Sequence, residues 1–430
     1  MRALQISIFV LVTFAVAVHG VVEVWSESTF EIGAALLFLA WGVLVVLSRT
    51  PKIYWTELNW PIAGFFAWAI LQLVFHITVY PYLTWTALLR WGACFLIYFV
   101  ATQVFRAREE LRMLTWFFVL LGFCVALEGI GQYFTGGGKL YGFRVLHLGG
   151  EPFGPFVNRN HYAGLMELLT PTGFGLLAFR GVRRELVALV GLFTLVPVGS
   201  MFLAASRAGL ITLALELALL GFIYARRSTG KVRLGPAIAF LLVLAALVAW
   251  LGVGRVLERF NTKEAEDVTL ARRWTMLKGT MRVFATHPIL GTGLGTLVVV
   301  FPHYDTDYDG RLVNHAHDDY AEALAELGLP GAVCGLAFLW YLFRAGVRGL
   351  TTTQGHFSAA YHAGALIACV GILSHSLVDY NLHIPSNALV FLLQAGLLST
   401  PPLLPDPASN RKQRISKFNS AVDIRTSASP

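Results

Sequence analysis

Charge is scarce in this chain. Only 13% of its 430 residues are Asp, Glu, Lys or Arg, about half the roughly 25% of a soluble domain, which excludes an ordinary water-facing surface. Cysteine is nearly absent too. The four present, Cys94, Cys124, Cys334 and Cys369, stand singly inside apolar runs; this excludes a disulfide framework or thiolate metal cluster and leaves them as small core residues. Two segments that resemble ligand loops lack a deciding residue. "GTGLG", Gly291 to Gly295, has neither the third glycine nor the preceding strand of a dinucleotide fingerprint and reads as a tight turn. "DTDYDG", Asp305 to Gly310, resembles a calcium loop but has Ala316 where the bidentate Glu belongs.

What the chain has in abundance is apolar sequence. Hydrophobic residues make up 56% and the mean hydropathy is +0.64, in runs near the roughly 20 residues that cross about 30 Å of hydrocarbon. The expected fold is therefore an all-α polytopic membrane protein with about 12 transmembrane helices, since a helix satisfies its own backbone hydrogen bonds in lipid. The runs lie near residues 3–22, 30–48, 60–79, 82–105, 113–134, 161–179, 186–204, 208–225, 235–253, 329–343, 359–378 and 387–404.

Lys and Arg collect in alternate loops: "RTPK" at Arg49, "RAREELR" at Arg106, "RGVRRE" at Arg180, "RRSTGKVR" at Arg226, "RAGVRG" at Arg344 and "RKQR" at Arg411. The positive-inside rule puts these loops and both termini in the cytoplasm. The same bias accounts for the net charge of +8, so the charge is no argument for nucleic acid. The first run, after Met1 and Arg2, reads as an uncleaved helix. Residues 1–408 form the expected membrane domain, and the polar stretch 409–430 a disordered cytoplasmic tail.

Two long segments fall on the outer side: 135–160, and the larger loop 254–326 between the ninth and tenth spans. Long ordered loops are usually functional. In the larger one, Arg273, Leu277, Thr280, Met281 and Phe284 recur at helical spacing, predicting a helix across the mouth of the bundle. It aims Arg272 or Arg273 either at a polar cavity or at lipid headgroups or neighbouring carboxylates. "HAHDD" follows, with His315, His317, Asp318 and Asp319. Imidazole can act as a general base near neutral pH, and an adjacent carboxylate can orient it. Zinc is the less natural reading, because the i, i+2 spacing puts the two rings on different helical faces; a hydrated histidine cluster is the plainer one.

Three more polar insertions mark outer span ends: Arg207 in "ASRAGLI", Arg159 and His161 in "NRNHYAG", and His375 and Asp379 in "SHSLVDYNLHIPSN". Arginines and histidines at one depth on one side suggest an anionic ligand whose head lies at the interface. Arg90, Glu128, Glu167 and Glu216 stand as isolated charges inside the spans.

The densest of these patterns, "HPILGTGLGTL" followed by "HAHDDYAEALAELGLPG", together with "FVNRNHYAG", "SRAGL" and "HSLVDYNLHIPSNAL", resembles the O-antigen ligase family, whose ligase/polymerase domain would run from about 156 to 397. The resemblance implies a glycosyltransferase of the bacterial inner membrane with its active site on the periplasmic face. It would take a glycan from an undecaprenyl-pyrophosphate carrier and pass it, with inversion and with no metal or other cofactor, to lipid A-core or another glycan acceptor. The family's essential histidine falls on His317, followed by Asp318 where Asn, Ser or Gln is usual, with Gly328 downstream. Its span-start arginine falls on Arg207 and its loop arginine most nearly on Arg273. Pyrophosphate-binding residues would then be Arg207, Arg273, Arg272 and Arg159, supported by His315, Asp318, His161, His375 and Asp379. The family also contains polymerases that join lipid-linked repeat units, which is the second reading. A small-anion transporter is the third; neither an internal repeat nor a mid-span acidic pair supports it.

Overall fold

The computed structural model describes residues 1–48, 52–146, 150–227, 270–308, 310–352 and 355–399. The expected span 235–253, the loop opening 254–269 and the tail 409–430 lie outside them. Among the described residues the chain is helical, with only two isolated bridges of extended backbone.

Helices α1 to α8 span Arg2–Ala17, Val24–Val46, Asn59–Val74, Pro81–Val104, Arg108–Thr135, Arg159–Ala178, Val187–Ala204 and Arg207–Arg227; α9 to α12 span Leu270–Thr286, Asp319–Thr352, His356–His375 and Pro385–Ser399. Every expected span other than 235–253 coincides with one of them. Seven of the described helices are long and apolar enough to cross a membrane, and α1, α3 and α12 are shorter apolar helices. The polar start of α6, with Arg159, Asn160 and His161, sets it apart from both groups.

The sequence marks where helices start. Pro81 occupies the first turn of α4, where its missing N–H costs nothing. Glu110 reaches back to the N–H groups of Arg106 and Ala107 at the start of α5. Asn158 caps α6 by accepting from the Asn160 N–H at 2.8 Å.

Helices α6 and α11 form the centre, buried along nearly their whole lengths. Their backbones approach closely because small residues meet: a methyl group added at Gly175 would lie 2.2 Å from the Ala360 carbonyl oxygen. Around this pair stand α5, α7, α8, α10 and α12, with α1 to α4 beyond.

The bundle has two unlike ends. At one, the α1–α2 loop meets the α5–α6 loop through His19 and the Pro155 carbonyl, 3.0 Å, and the Val79 N–H of the α3–α4 loop donates to the Thr292 carbonyl, 2.8 Å. At the other lie the arginine-rich loops, where Arg344 pairs with Glu57. The expected helix at the mouth is present as α9, rotated from the expected face. Met276, Thr280 and Val283 are buried while Trp274 and Met281 are exposed, because Met276 and Val283 pack against Leu297 and Phe301.

Arg90, read from sequence as isolated, pairs with Glu27 at 2.6 Å, a residue of the neighbouring α2. Glu167 is likewise paired, with His375 at 2.9 Å in full burial. A charge at this depth is tolerable only when compensated.

Candidate active site

The tenth span begins earlier than the apolar run suggests. Helix α10 starts at Asp319 and is broken at Gly328, whose φ of 62° and ψ of −159° belong to a region essentially restricted to glycine. The turn 287–296 packs into this break. Thr292 and Gly293 donate to the Ala325 and Glu326 carbonyls at 3.1 and 2.9 Å, and the buried Glu326 carboxylate accepts from the Gly295 and Leu297 N–H groups at 2.7 and 2.9 Å. "GTGLG" is thus the tight turn expected, wrapped around a carboxylate of α10.

Packing of this kind fixes the segment ahead of α10, and with it His317, which sits at φ 53°. Its Nδ1 lies 3.3 Å from Asp379 Oδ1, off hydrogen-bond geometry but well within ion-pair reach. Asp379 is fully buried and is the hub of the site. Asn160 donates to its Oδ2 at 2.9 Å, Arg273 Nη2 lies at 3.5 Å, and His161 Nε2 at 3.9 Å. Burial alone would raise the Asp379 carboxyl; His317, Arg273 and His161 more than reverse this and hold it well below the usual carboxylate range. Arg273 also donates to the Val378 carbonyl, so α9 is pinned to the α11–α12 loop.

Tyr380 supplies the wall. Its ring contacts three imidazoles, stacked on His315 at 4.5 Å between centroids and edge-on to His161 and His317 at 4.7 and 4.8 Å. A second polar layer lies behind it: His315 Nδ1 is 2.8 Å from Glu322, and His383 lies between Asp319 at 2.6 Å and Glu322 at 3.3 Å. Burial would depress the His383 imidazole, but these two carboxylates raise it to about 9. The donors of His315, Glu322 and His383 lie within 4.8 Å of one another, so one divalent ion would fit among them.

The remaining expected residues fall as follows. Asp318 turns away from His317 and accepts from the Tyr320 and Ala321 N–H groups at 3.0 and 2.9 Å, capping α10; burial pushes its carboxyl up. Arg272 makes a two-pronged bond to Asp305, 2.6 and 2.7 Å, which pulls the Asp305 carboxyl below its usual range. Arg159 pairs with Glu151. Arg207 opens α8 with its side chain exposed, next to Ser206, whose hydroxyl donates to Asn160 at 2.8 Å. His375 also leaves the cluster: it faces Glu167 inside the bundle, one turn inward of Asp379.

Sequence reading missed Tyr380, His383, Glu322 and Asn160. The signal for Glu322 was present, since an acid in the first turn of a helix faces back toward its own N-terminal loop. Asn160 and Asp379 are 219 positions apart, and no local pattern joins them.

No curated protein matches this sequence. Residues 190–336 match the family model described as O-antigen ligase, a segment holding Arg207, Arg273 and His317. Across that segment, about a third of the chain, the protein is similar to O-antigen ligases.

Proposed function

We propose that the protein moves a glycan from undecaprenyl pyrophosphate to an acceptor hydroxyl, lipid A-core or another surface glycan, at the periplasmic face, with inversion and without a metal. The observation that carries this reading is the pairing of His317 and Arg273 on one buried carboxylate, Asp379, which puts a base and a permanent cation side by side.

With Nδ1 turned to Asp379, His317 has Nε2 left to accept the proton of the acceptor hydroxyl. The hydroxyl oxygen attacks the anomeric carbon as the bond from that carbon to the pyrophosphate oxygen breaks. Negative charge grows on the departing pyrophosphate, where Arg273 and Arg207 stabilise it. Asp379 stabilises the imidazolium formed at His317. Arg272 and Arg159, each already held by a carboxylate, shape the walls and add positive potential.

Carrier-linked glycan in cells lacking the gene, with a His317→Ala complement beside them, tests the reading. Long chains stranded on the carrier support a ligase; single repeat units mean a polymerase. An unchanged carrier pool overturns both and returns the small-anion transporter. Activity that requires magnesium overturns the metal-free mechanism.

A further inference from the structure

A cavity of about 250 Å³ opens at the opposite, arginine-rich end of the bundle. It lies between the start of α3, the end of α4, α10, α11 and the end of α12, and Arg106, Arg344 and Arg348 face it against one carboxylate, Glu57. Arg344 and Glu57 are 3.6 Å apart and both about half exposed, so this pair neutralises little. Arg106 stacks over the Tyr54 ring at 3.5 Å and its Nη1 donates to the Thr102 carbonyl at 3.5 Å, which together hold the guanidinium in place.

His362 closes the inner end. Its side chain is fully buried, and Nδ1 faces the Ser358 carbonyl at 2.9 Å. A carbonyl only accepts, so Nδ1 carries the hydrogen and the neutral ring offers an acceptor lone pair at Nε2. Nε2 has no hydrogen-bond partner. A buried acceptor of this kind is costly unless a donor reaches it; Nε2 is packed against Gly349, and since Gly349 and His362 both line the cavity, a donor that displaces this contact would come from there.

The depth of the cavity says what it meets. Along α10 the rise from Asp319 to Arg348 is at most about 44 Å, and less across the break at Gly328, of the order of the 40–45 Å of a bilayer with its headgroups. Tyr54, Trp55 and Tyr341 at the rim are the side chains that favour this interface. The volume falls below the roughly 300–1,000 Å³ of a drug-sized site and suits a headgroup whose acyl chains remain in lipid. We propose that this cavity binds the head of an anionic glycerophospholipid bearing a hydroxyl, of the phosphatidylglycerol type: the arginines hold the phosphodiester and a headgroup hydroxyl donates to His362 Nε2.

The test uses the full-length protein, purified in detergent and stripped of lipid, with native mass spectrometry against phosphatidylglycerol, phosphatidic acid and phosphatidylcholine. Phosphatidylglycerol is expected to bind at least tenfold more tightly than phosphatidylcholine. Removing both exposed arginines, Arg344→Gln with Arg348→Gln, is expected to weaken it by about 25-fold, about fivefold for each. In His362→Leu the preference for phosphatidylglycerol over phosphatidic acid disappears while phosphatidic acid still binds. Unchanged binding in an arginine double variant that melts like the parent overturns the proposal. So does full displacement by millimolar inorganic phosphate with no preference among lipids, which would make this a free-anion site.

Discussion

Replacing Asp379 by Asn keeps the shape of the side chain and removes its charge. Asn160 donates to Oδ2 and the Tyr380 N–H to Oδ1, so the one carbonyl oxygen of Asn keeps one of these two bonds and the other is lost. What also disappears is the attraction for His317 at 3.3 Å and Arg273 at 3.5 Å. At an effective dielectric constant near 20, unit charges 3.3 Å apart attract by about 5 kcal/mol, and breaking one partner of a buried pair costs about 3–5 kcal/mol. The two partners feel the loss in different states. Arg273 is always charged, so its share appears as reduced stability. In the proposed mechanism His317 becomes an imidazolium when it takes the acceptor proton, so its share would appear in the transition state and lower kcat by about 10²–10⁴-fold. Transfer from a purified lipid-linked glycan should therefore lose kcat with KM nearly constant. The stability loss has its own pH signature. A carboxyl held below its ordinary value stabilises the fold above the unfolded pKa, about 3.9, and that stability fades as pH falls toward the folded value. The melting gap between parent and Asp379→Asn should be full at pH 5 and above and close at lower pH. A variant that keeps kcat within threefold would refute the role of Asp379 as the counter-charge of the base.

His383 runs the opposite way. Raised to about 9, it stabilises the fold fully below about pH 6.5 and loses that contribution as pH rises through about 9, a swing of roughly 3 kcal/mol; His383→Gln should melt lower than the parent at pH 6 and alike at pH 10. At Gly328, φ is 62° and an added methyl would lie 2.5 Å from the Ile289 carbonyl oxygen, so Gly328→Ala should cost at least about 2 kcal/mol. Gly335 in the same helix has open space, and Gly335→Ala should stay within about 1 kcal/mol of the parent.

Span positions were legible because length and apolarity are local properties, and each expected span within the described residues coincides with a helix. Facing was legible only in part. Arg272 and Arg273 are neighbours, so they point about 100° apart on α9; nothing in the sequence says which meets Asp305 and which meets Asp379. His375 and Asp379 part for another reason: α11 ends at His375, so His375 still faces Glu167 in the bundle while Asp379, beyond the helix, faces the histidine cluster. Tyr380 was passed over because an aromatic at a span end is ordinary, and its three imidazole partners come from two distant segments.

Position 318 shows how a departure from a family pattern can be neutral. The resemblance leads one to expect Asn, Ser or Gln after the essential histidine, and an Asp there is a carboxylate adjacent to His317 that could orient its ring. The side chain instead caps α10 through the Tyr320 and Ala321 N–H groups. Asp, Asn and Ser serve about equally well as N-caps, while Ala costs about 0.5–2 kcal/mol. The cap adjoins His317, a left-handed residue that a side chain disfavours by about 1–2 kcal/mol, so a looser cap lets His317 relax away from Asp379. Asp318→Asn should keep both melting temperature and transfer rate close to the parent, whereas Asp318→Ala should lower the melting temperature and slow transfer about fivefold. A loss in Asp318→Asn as deep as that in Asp318→Ala would mean that position 318 supplies charge to the base, and the capping account would fall.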